Sequence, residues 1–184
     1  MGNINLCIAM SLDGFIADKA GKVDFLFEKP RIEPDEDYKR FYAGVDIIIY
    51  GSVTYKQLTR EISPGKEAYP GKKSYVFTQH PGEFAADTAA GPVEFTGLSP
   101  RGFAETVCRD LTGEAWLFGG RALIHSFMEA DLIDKYWIYV VPVILGEGVP
   151  LFTPAARRLN LTLTSVSKTD AMVKLFYDRD RGAS

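Results

Sequence analysis

Two glycine turns carry most of the chemistry legible in this chain. Tyr50-Gly51-Ser52-Val53-Thr54-Tyr55 and Phe118-Gly119-Gly120-Arg121-Ala122 each follow a strand-like apolar run and lead into a helix-like stretch. A glycine at such a junction lets backbone N–H groups and the following helix N-terminus approach a phosphate, where unpaired donors and the helix dipole favour negative charge. The Ser52 and Thr54 hydroxyls add donors at the first turn. Neither turn is GxGxxG or the P-loop GxxxxGK[ST], and each alone also reads as a plain tight turn, since glycine is the default wherever φ is positive. Two phosphate-approach turns in one sheet suit a dinucleotide.

Four acids could serve such a site. Asp13 sits in the run Ala9-Met10-Ser11-Leu12-Asp13-Gly14-Phe15-Ile16-Ala17, which ends a hydrophobic strand and begins a loop; beside Gly14 it reads as a catalytic carboxylate or as a turn former. Asp24 follows Gly21-Lys22-Val23 and precedes Phe25-Leu26, an acid next to aromatic surface that faces a substrate ring or simply closes a turn. Asp13 and Asp24 are the candidate catalytic residues. Asp35 and Asp37 fall in the first turn of a helix, where carboxylates pair with the dipole.

Other chemistries find little support. His80 and His125 are not at ligand spacing, no HExxH or Cys/His cluster occurs, and so no metal is expected. GxSxG is absent. Cys7 and Cys108 lack CxxC spacing and read as small core residues in a reducing compartment, without a disulfide. Trp116 reads as packing, and Tyr136-Trp137-Ile138-Tyr139 as a strand at a sheet or dimer face. Leu145-Gly146-Glu147-Gly148 reads as a bend that brings backbone near the active-site mouth, or as a turn only.

The elements that position these residues alternate. Ile4–Met10, Val45–Tyr50, Lys73–Thr78, Val93–Thr96, Ala115–Phe118 and Tyr136–Val141 read as strands. Between them, helices start near Pro34, at Ser52, at Ser99-Pro100 and at Arg121. In the third, Phe103, Val107 and Leu111 fall four apart and Gly113 follows. Leu161–Val166 and Met172–Tyr177 form a hairpin through Lys168-Thr169-Asp170. The class is α/β: a mainly parallel central sheet with helices on both faces in three layers, and an antiparallel C-terminal edge hairpin. Residues 1–184 read as a single domain with an ordered core over about 4–177, a mobile surface loop at Arg60–Lys72 and a frayed end from Arg179.

With 184 residues, 46% apolar content and a net charge of -3, the chain can bury a core and shows no basic patch for a nucleic acid or an anionic membrane. No apolar stretch approaches the roughly 20 residues that span a bilayer, and no signal peptide is evident. The expectation is a cytoplasmic soluble protein with a small-molecule substrate.

Four motifs in order, Ser-Leu-Asp-Gly-Phe-Ile-Ala (11 to 17), Ile-Ile-Tyr-Gly-Ser-Val-Thr-Tyr (48 to 55), Leu-Phe-Gly-Gly-Arg-Ala-Leu (117 to 123) and Val-Pro-Val-Ile-Leu-Gly-Glu-Gly-Val-Pro-Leu-Phe (141 to 152), resemble the dihydrofolate reductase superfamily. Within it the chain is most similar to the C-terminal reductase domain of the bacterial riboflavin deaminase-reductase, as a free-standing homologue, from about Ile4 to Tyr177. The resemblance implies a dihydrofolate-reductase-like fold, NADPH across the carboxyl ends of the strands, and a homodimer. It assigns Ala9, Ile16 and Ala17 to the nicotinamide side, Gly51, Ser52, Thr54 and Tyr55 to phosphate, and Thr78 and Gln79 to the adenosine ribose. Phe118 belongs to the second turn, and Gly119, Gly120, Arg121, Ala122 and Leu123 would bind pyrophosphate.

Ser52 stands where dihydrofolate reductases commonly place Arg or Lys, so NADH is not excluded; Lys56, Lys72 or His80 would have to supply the cation for a 2′-phosphate. By chain position, the carboxylate that holds a pterin in those enzymes falls on Asp35 or Asp37. The function implied is hydride transfer from NAD(P)H to a C=N or C=O carbon of a small heterocyclic or ribosylamino substrate, as in riboflavin biosynthesis. The alternatives are dihydrofolate reductase itself and a non-enzymatic dinucleotide-binding dimer.

Overall fold

The computed structural model describes residues 2–28, 34–64, 66–84, 92–155 and 158–182. Gly65 and the last two residues of the expected frayed end lie outside these. Eight strands form one sheet: β1 (Ile4–Ser11), β3 (Val45–Gly51), β4 (Lys73–Phe77), β5 (Val93–Thr96), β6 (Glu114–Gly119), β7 (Lys135–Val141), β9 (Asn160–Lys168) and β10 (Val173–Asp180). Their spatial order is β5-β4-β3-β6-β1-β7-β10-β9. The six strands from β5 to β7 pair in parallel, whereas β10 runs antiparallel to both β7 and β9.

The two-residue period of the strands divides their side chains between two cores. Ile4 and Leu6 of β1, Leu117 of β6 and Ile138 of β7 pack on one face with Phe103 of α3 (Pro100–Thr106) and Ile124 and Phe127 of α4 (Arg121–Glu129). Cys7, Trp116 and Tyr139 alternate with them and face Phe41 of α1 (Glu36–Gly44) and Tyr55 of α2 (Ser52–Gln57). Three layers result, with the sheet between helices as the strand and helix pattern requires.

The local corrections have simple causes. The third helix ends at Thr106 and continues as a 3-10 turn over Cys108–Asp110, so Leu111, in extended backbone, is not on the helix despite its four-residue spacing. Two short strands not expected from sequence, β2 (Phe15–Ala17) and β8 (Val149–Pro150), pair antiparallel in a separate small sheet. Both are too short for a periodicity signal. The segment before β4, expected to be a mobile loop, is anchored: the Tyr69 ring sits 5.1 Å from Trp116 and 5.4 Å from Phe118, both edge-on.

Candidate functional site

A cleft of about 1080 Å³ opens along the carboxyl ends of β1, β3, β4 and β6, the end of a parallel sheet where loops and helix N-termini converge. Both glycine turns line it and abut. A Cβ added at Gly120 would stand 3.3 Å from Thr54 Oγ1 and 3.6 Å from the Gly51 nitrogen, and Gly120 holds φ at +94°. Only glycine enters this conformation at little cost. The first helical bond of α4 runs from Ile124 N–H to the Gly120 carbonyl. The N–H groups of Arg121, Ala122 and Leu123 therefore have no partner within the helix, and they stand where an anion would meet the positive end of the helix dipole.

Most residues assigned to the cofactor meet in this cleft. Ala9, Ile16, Ala17, Gly51, Ser52, Thr54, Thr78, Gln79, Phe118, Gly119, Gly120, Arg121, Ala122 and Leu123 all line it. Tyr55 does not: its side chain is buried, edge-on to Phe95 and Phe84, because its position on α2 points it at the sheet. None of the three cations considered for a 2′-phosphate lines the cleft. Lys56 lies over the Phe84 ring, Lys72 donates to the Val45 carbonyl across 2.6 Å, and His80 is exposed, its backbone N–H bonded to Thr78 Oγ1.

The two candidate catalytic acids also lie off the cleft lining. Asp13 accepts from Ser11 Oγ at 2.6 Å and from the backbone N–H groups of Leu145 and Gly146 at 3.2 and 2.7 Å. These bonds, Ser11 first, hold its carboxyl below the usual carboxylate range and tie the loop after β1 to the 145–148 bend. Asp24 is exposed and begins a single 3-10 turn over Asp24–Leu26. The turn-forming alternative describes the position of each.

Asp35 occupies the place that they do not. It caps α1, its Oδ1 accepting from Tyr38 N–H at 3.0 Å, and it lines the cleft beside Tyr38. Its second oxygen accepts from Lys174 Nζ, which also reaches Asp37 Oδ2 at 3.2 Å. Lys174 is 1% exposed. Burial lowers its pKa, and an ammonium so enclosed is retained because carboxylates face it. Asp35 and Asp37 are thus more than dipole partners of α1: they bind the helix to β10.

Sequence reasoning missed Lys174, although a signal was present. Met172, Lys174 and Phe176 share one face of a strand by its two-residue period, and a lysine among buried apolar neighbours must find an anion. It missed the surrounding wall too. Cys7, Tyr38, Trp116, Tyr139 and Met172 line the cleft near Asp35. Ala9, Tyr139 and Lys174 are partners in register across β1, β7 and β10, so Tyr139 lies one strand spacing, about 5 Å, and Lys174 two, about 10 Å, from the residue assigned to the nicotinamide side. Burial pushes the Cys7 thiol up to about 12, despite the Tyr139 hydroxyl against it, which leaves it a neutral thiol. Cys7 and Cys108 are both free and buried. Among the described residues no cluster of His, Cys, Asp and Glu could hold a metal ion, and no helix is long and apolar enough to cross a membrane.

Comparison with known proteins bears on the family and the fold. A model of the RibD C-terminal domain matches residues 107–175. The uncharacterized protein YwjB of Bacillus subtilis (strain 168) is 35% identical over 174 residues, spanning 95% of this chain and 96% of its own. A crystal structure from Shewanella sp. PV-4, named for riboflavin biosynthesis, superposes with a TM-score of 0.75 at 27% identity, covering 98% of this chain and 100% of that one. Dihydrofolate reductase from Enterococcus faecalis, complexed with NADP(H), has a TM-score of 0.65 at 18% identity, covering 97% and 96%. That last likeness is one of fold.

Proposed function

The chain belongs to the RibD C-terminal domain family, with a dihydrofolate-reductase-like fold, and from this we propose that it is an NAD(P)H-dependent reductase acting on a C=N or C=O carbon of a small heterocyclic or ribosylamino substrate. One observation carries the reading: Gly51 and Gly119-Gly120 abut at the mouth of one cleft, at the head of α4, in a cradle that a Cβ at Gly120 would crowd. This fits a pyrophosphate. The Enterococcus faecalis reductase of the same fold carries NADP(H).

Gly119, Gly120 and the first N–H groups of α4 would hold the pyrophosphate with the Arg121 side chain, and Ser52 and Thr54 hydroxyls would donate to phosphate at the first turn. Ala9, Ile16 and Ala17 would bound the nicotinamide, which supplies the hydride when bound. The wall around Asp35 is left for the acceptor, so the protein's contribution is positioning and exclusion of water. NADH belongs to the proposal beside NADPH, since among the described residues Arg121 is the only cation that lines the cleft.

The test is a thermal-shift and calorimetric titration with NADPH and NADH. Saturable binding that raises the midpoint as RT ln(1 + [L]/Kd) supports the reading; no response at millimolar cofactor overturns it. A second reading, dihydrofolate reductase, is favoured by the Asp35 carboxylate in the cleft and opposed by the Lys174 ammonium already paired with it. Dihydrofolate-dependent oxidation of NADPH supports the second reading, and its absence alongside cofactor binding removes it.

A further inference from the structure

The C-terminal hairpin carries an apolar row that the chain by itself leaves in water. In β10, Leu175 and Tyr177 pack toward the core beneath α3 and α4, while Lys174 and Phe176 turn to the opposite side. Cross-strand partners share a face, and Val173, Leu175, Tyr177 and Arg179 pair with Lys168, Val166, Leu163 and Leu161 of β9. A bulge at Thr164 keeps this row together. Leu163 and Val166 are three apart and would point to opposite faces of a regular strand, but the register shifts between Phe176 and Tyr177, and Thr164 Oγ1 donates to the Phe176 carbonyl at 3.0 Å. Thr162, Ser165 and Ser167 take the other face. Such alternation is the pattern of a half-buried strand, yet Leu161, Leu163, Val166 and Val173 are 38%, 52%, 54% and 41% exposed. The sheet order explains why. Helix α4 packs over β3 and β6, and β9 lies four strand spacings beyond β6, about 19 Å, out of reach of a helix about 10 Å across.

We propose that a second copy of this chain covers the row, the β9–β10 hairpin of one protomer packing face to face on that of its partner about a two-fold axis. The area fits a dimer. The four exposed side chains and the accessible parts of Leu175 and Tyr177 amount to about 400 Å² of apolar surface, in the range of a patch that has a function. Homodimer interfaces are about 65% apolar, so this patch corresponds to about 600 Å² per copy and about 1,200 Å² in all, the lower bound of a specific interface. Lys168 and Arg179 flank the row at its two ends as a polar rim. Residues 160–167 of β9 hold no charge and no proline, the devices that protect an uncovered edge strand. Pairing of two β9 edges is the poorer solution: its two-fold stands perpendicular to the sheet and would leave both apolar rows in water. The assignment is independent of the reductase reading of the cleft.

The test is sedimentation equilibrium of the full chain at tens of micromolar, with one charge placed on each face of β9. The wild type sediments as a dimer. Leu163→Glu, which sets a carboxylate in the row twice per dimer by symmetry, weakens association about a hundredfold or more and gives the mass of one chain. Ser165→Glu, two residues away on the opposite face, remains a dimer. Far-ultraviolet circular dichroism of both variants matches the wild type, since each site is exposed within the protomer. A monomeric wild type overturns the proposal and leaves the row to a partner other than this chain. A dimer that survives Leu163→Glu is joined elsewhere or edge to edge, and a dimer that both variants break does not depend on this face; either result overturns it too. Should Leu163→Glu not fold, Val166→Thr decides: it keeps the shape and β propensity of the residue and raises the dissociation constant about tenfold, and an unchanged constant overturns the assignment.

Discussion

A side chain at Gly120 meets two obstacles at once. Its φ of +94° is one that L-residues adopt at a cost of about 1–2 kcal/mol, and the added Cβ would press on Thr54 Oγ1 at 3.3 Å. Gly120→Ala is expected to lower cofactor affinity about tenfold in a calorimetric titration, the equivalent of 1.4 kcal/mol. Asp13 makes a different prediction, set by pH. Its folded pKa is depressed below 3.8 by Ser11 and by the Leu145 and Gly146 amides. The carboxylate's contribution is therefore full above the unfolded value and is lost as pH falls through the folded one. Asp13→Asn should lower the melting temperature at neutral pH, and the difference from wild type should shrink steadily as pH drops below about 3.8. A difference that persists at low pH would show that the carboxylate charge is not what ties the loop.

At the scale of elements, the small sheet of β2 and β8 bounds the side of the cleft proposed for the nicotinamide, through Ile16, Ala17 and Val149. Its closeness depends on Gly148, where a Cβ would lie 2.3 Å from the Ala17 carbonyl oxygen and 3.2 Å from the Phe15 side chain. Backbone is the obstacle, so the strands must separate. Gly148→Ala is expected to weaken cofactor binding about tenfold while leaving the eight-stranded sheet, and hence the far-ultraviolet circular dichroism, unchanged. Equal loss of both signals would mean that β2 and β8 are needed for the fold itself. Helix α1 shows a related dependence. Asp35 caps it, joins it to β10 through Lys174 and lines the cleft, so one residue serves the element and the site together.

The whole molecule places one cleft at the end of a sheet whose two faces carry separate cores. Residues from β1, β3, β4, β6 and β7, far apart in sequence, reach it because parallel strands end on the same side. The homodimer implied by the family resemblance is a proposal at this scale. Sedimentation equilibrium should give twice the 20.4 kDa chain mass, and a mass of one chain would refute it.

The strands and the glycine turns were legible from sequence because each is local: β-branched runs, a strand-length burial pattern and glycine before a helix need only neighbouring residues. The order of the motifs along the chain was enough for the family. Local signals could not choose among Asp13, Asp24, Asp35 and Asp37, since each is a carboxylate in a turn or at a helix start. Tertiary structure separates them. It gives Asp13 three partners within the loop and bend, leaves Asp24 exposed, and brings Asp35 against a lysine 139 residues away. The amino acids determined which groups the chain carries and where its strands turn. Which carboxylate faces the cleft, and which charge lies behind it, was decided only when β10 paired with β7 and set Lys174 beneath the start of α1, because the energy of a buried charge depends on its neighbours in space.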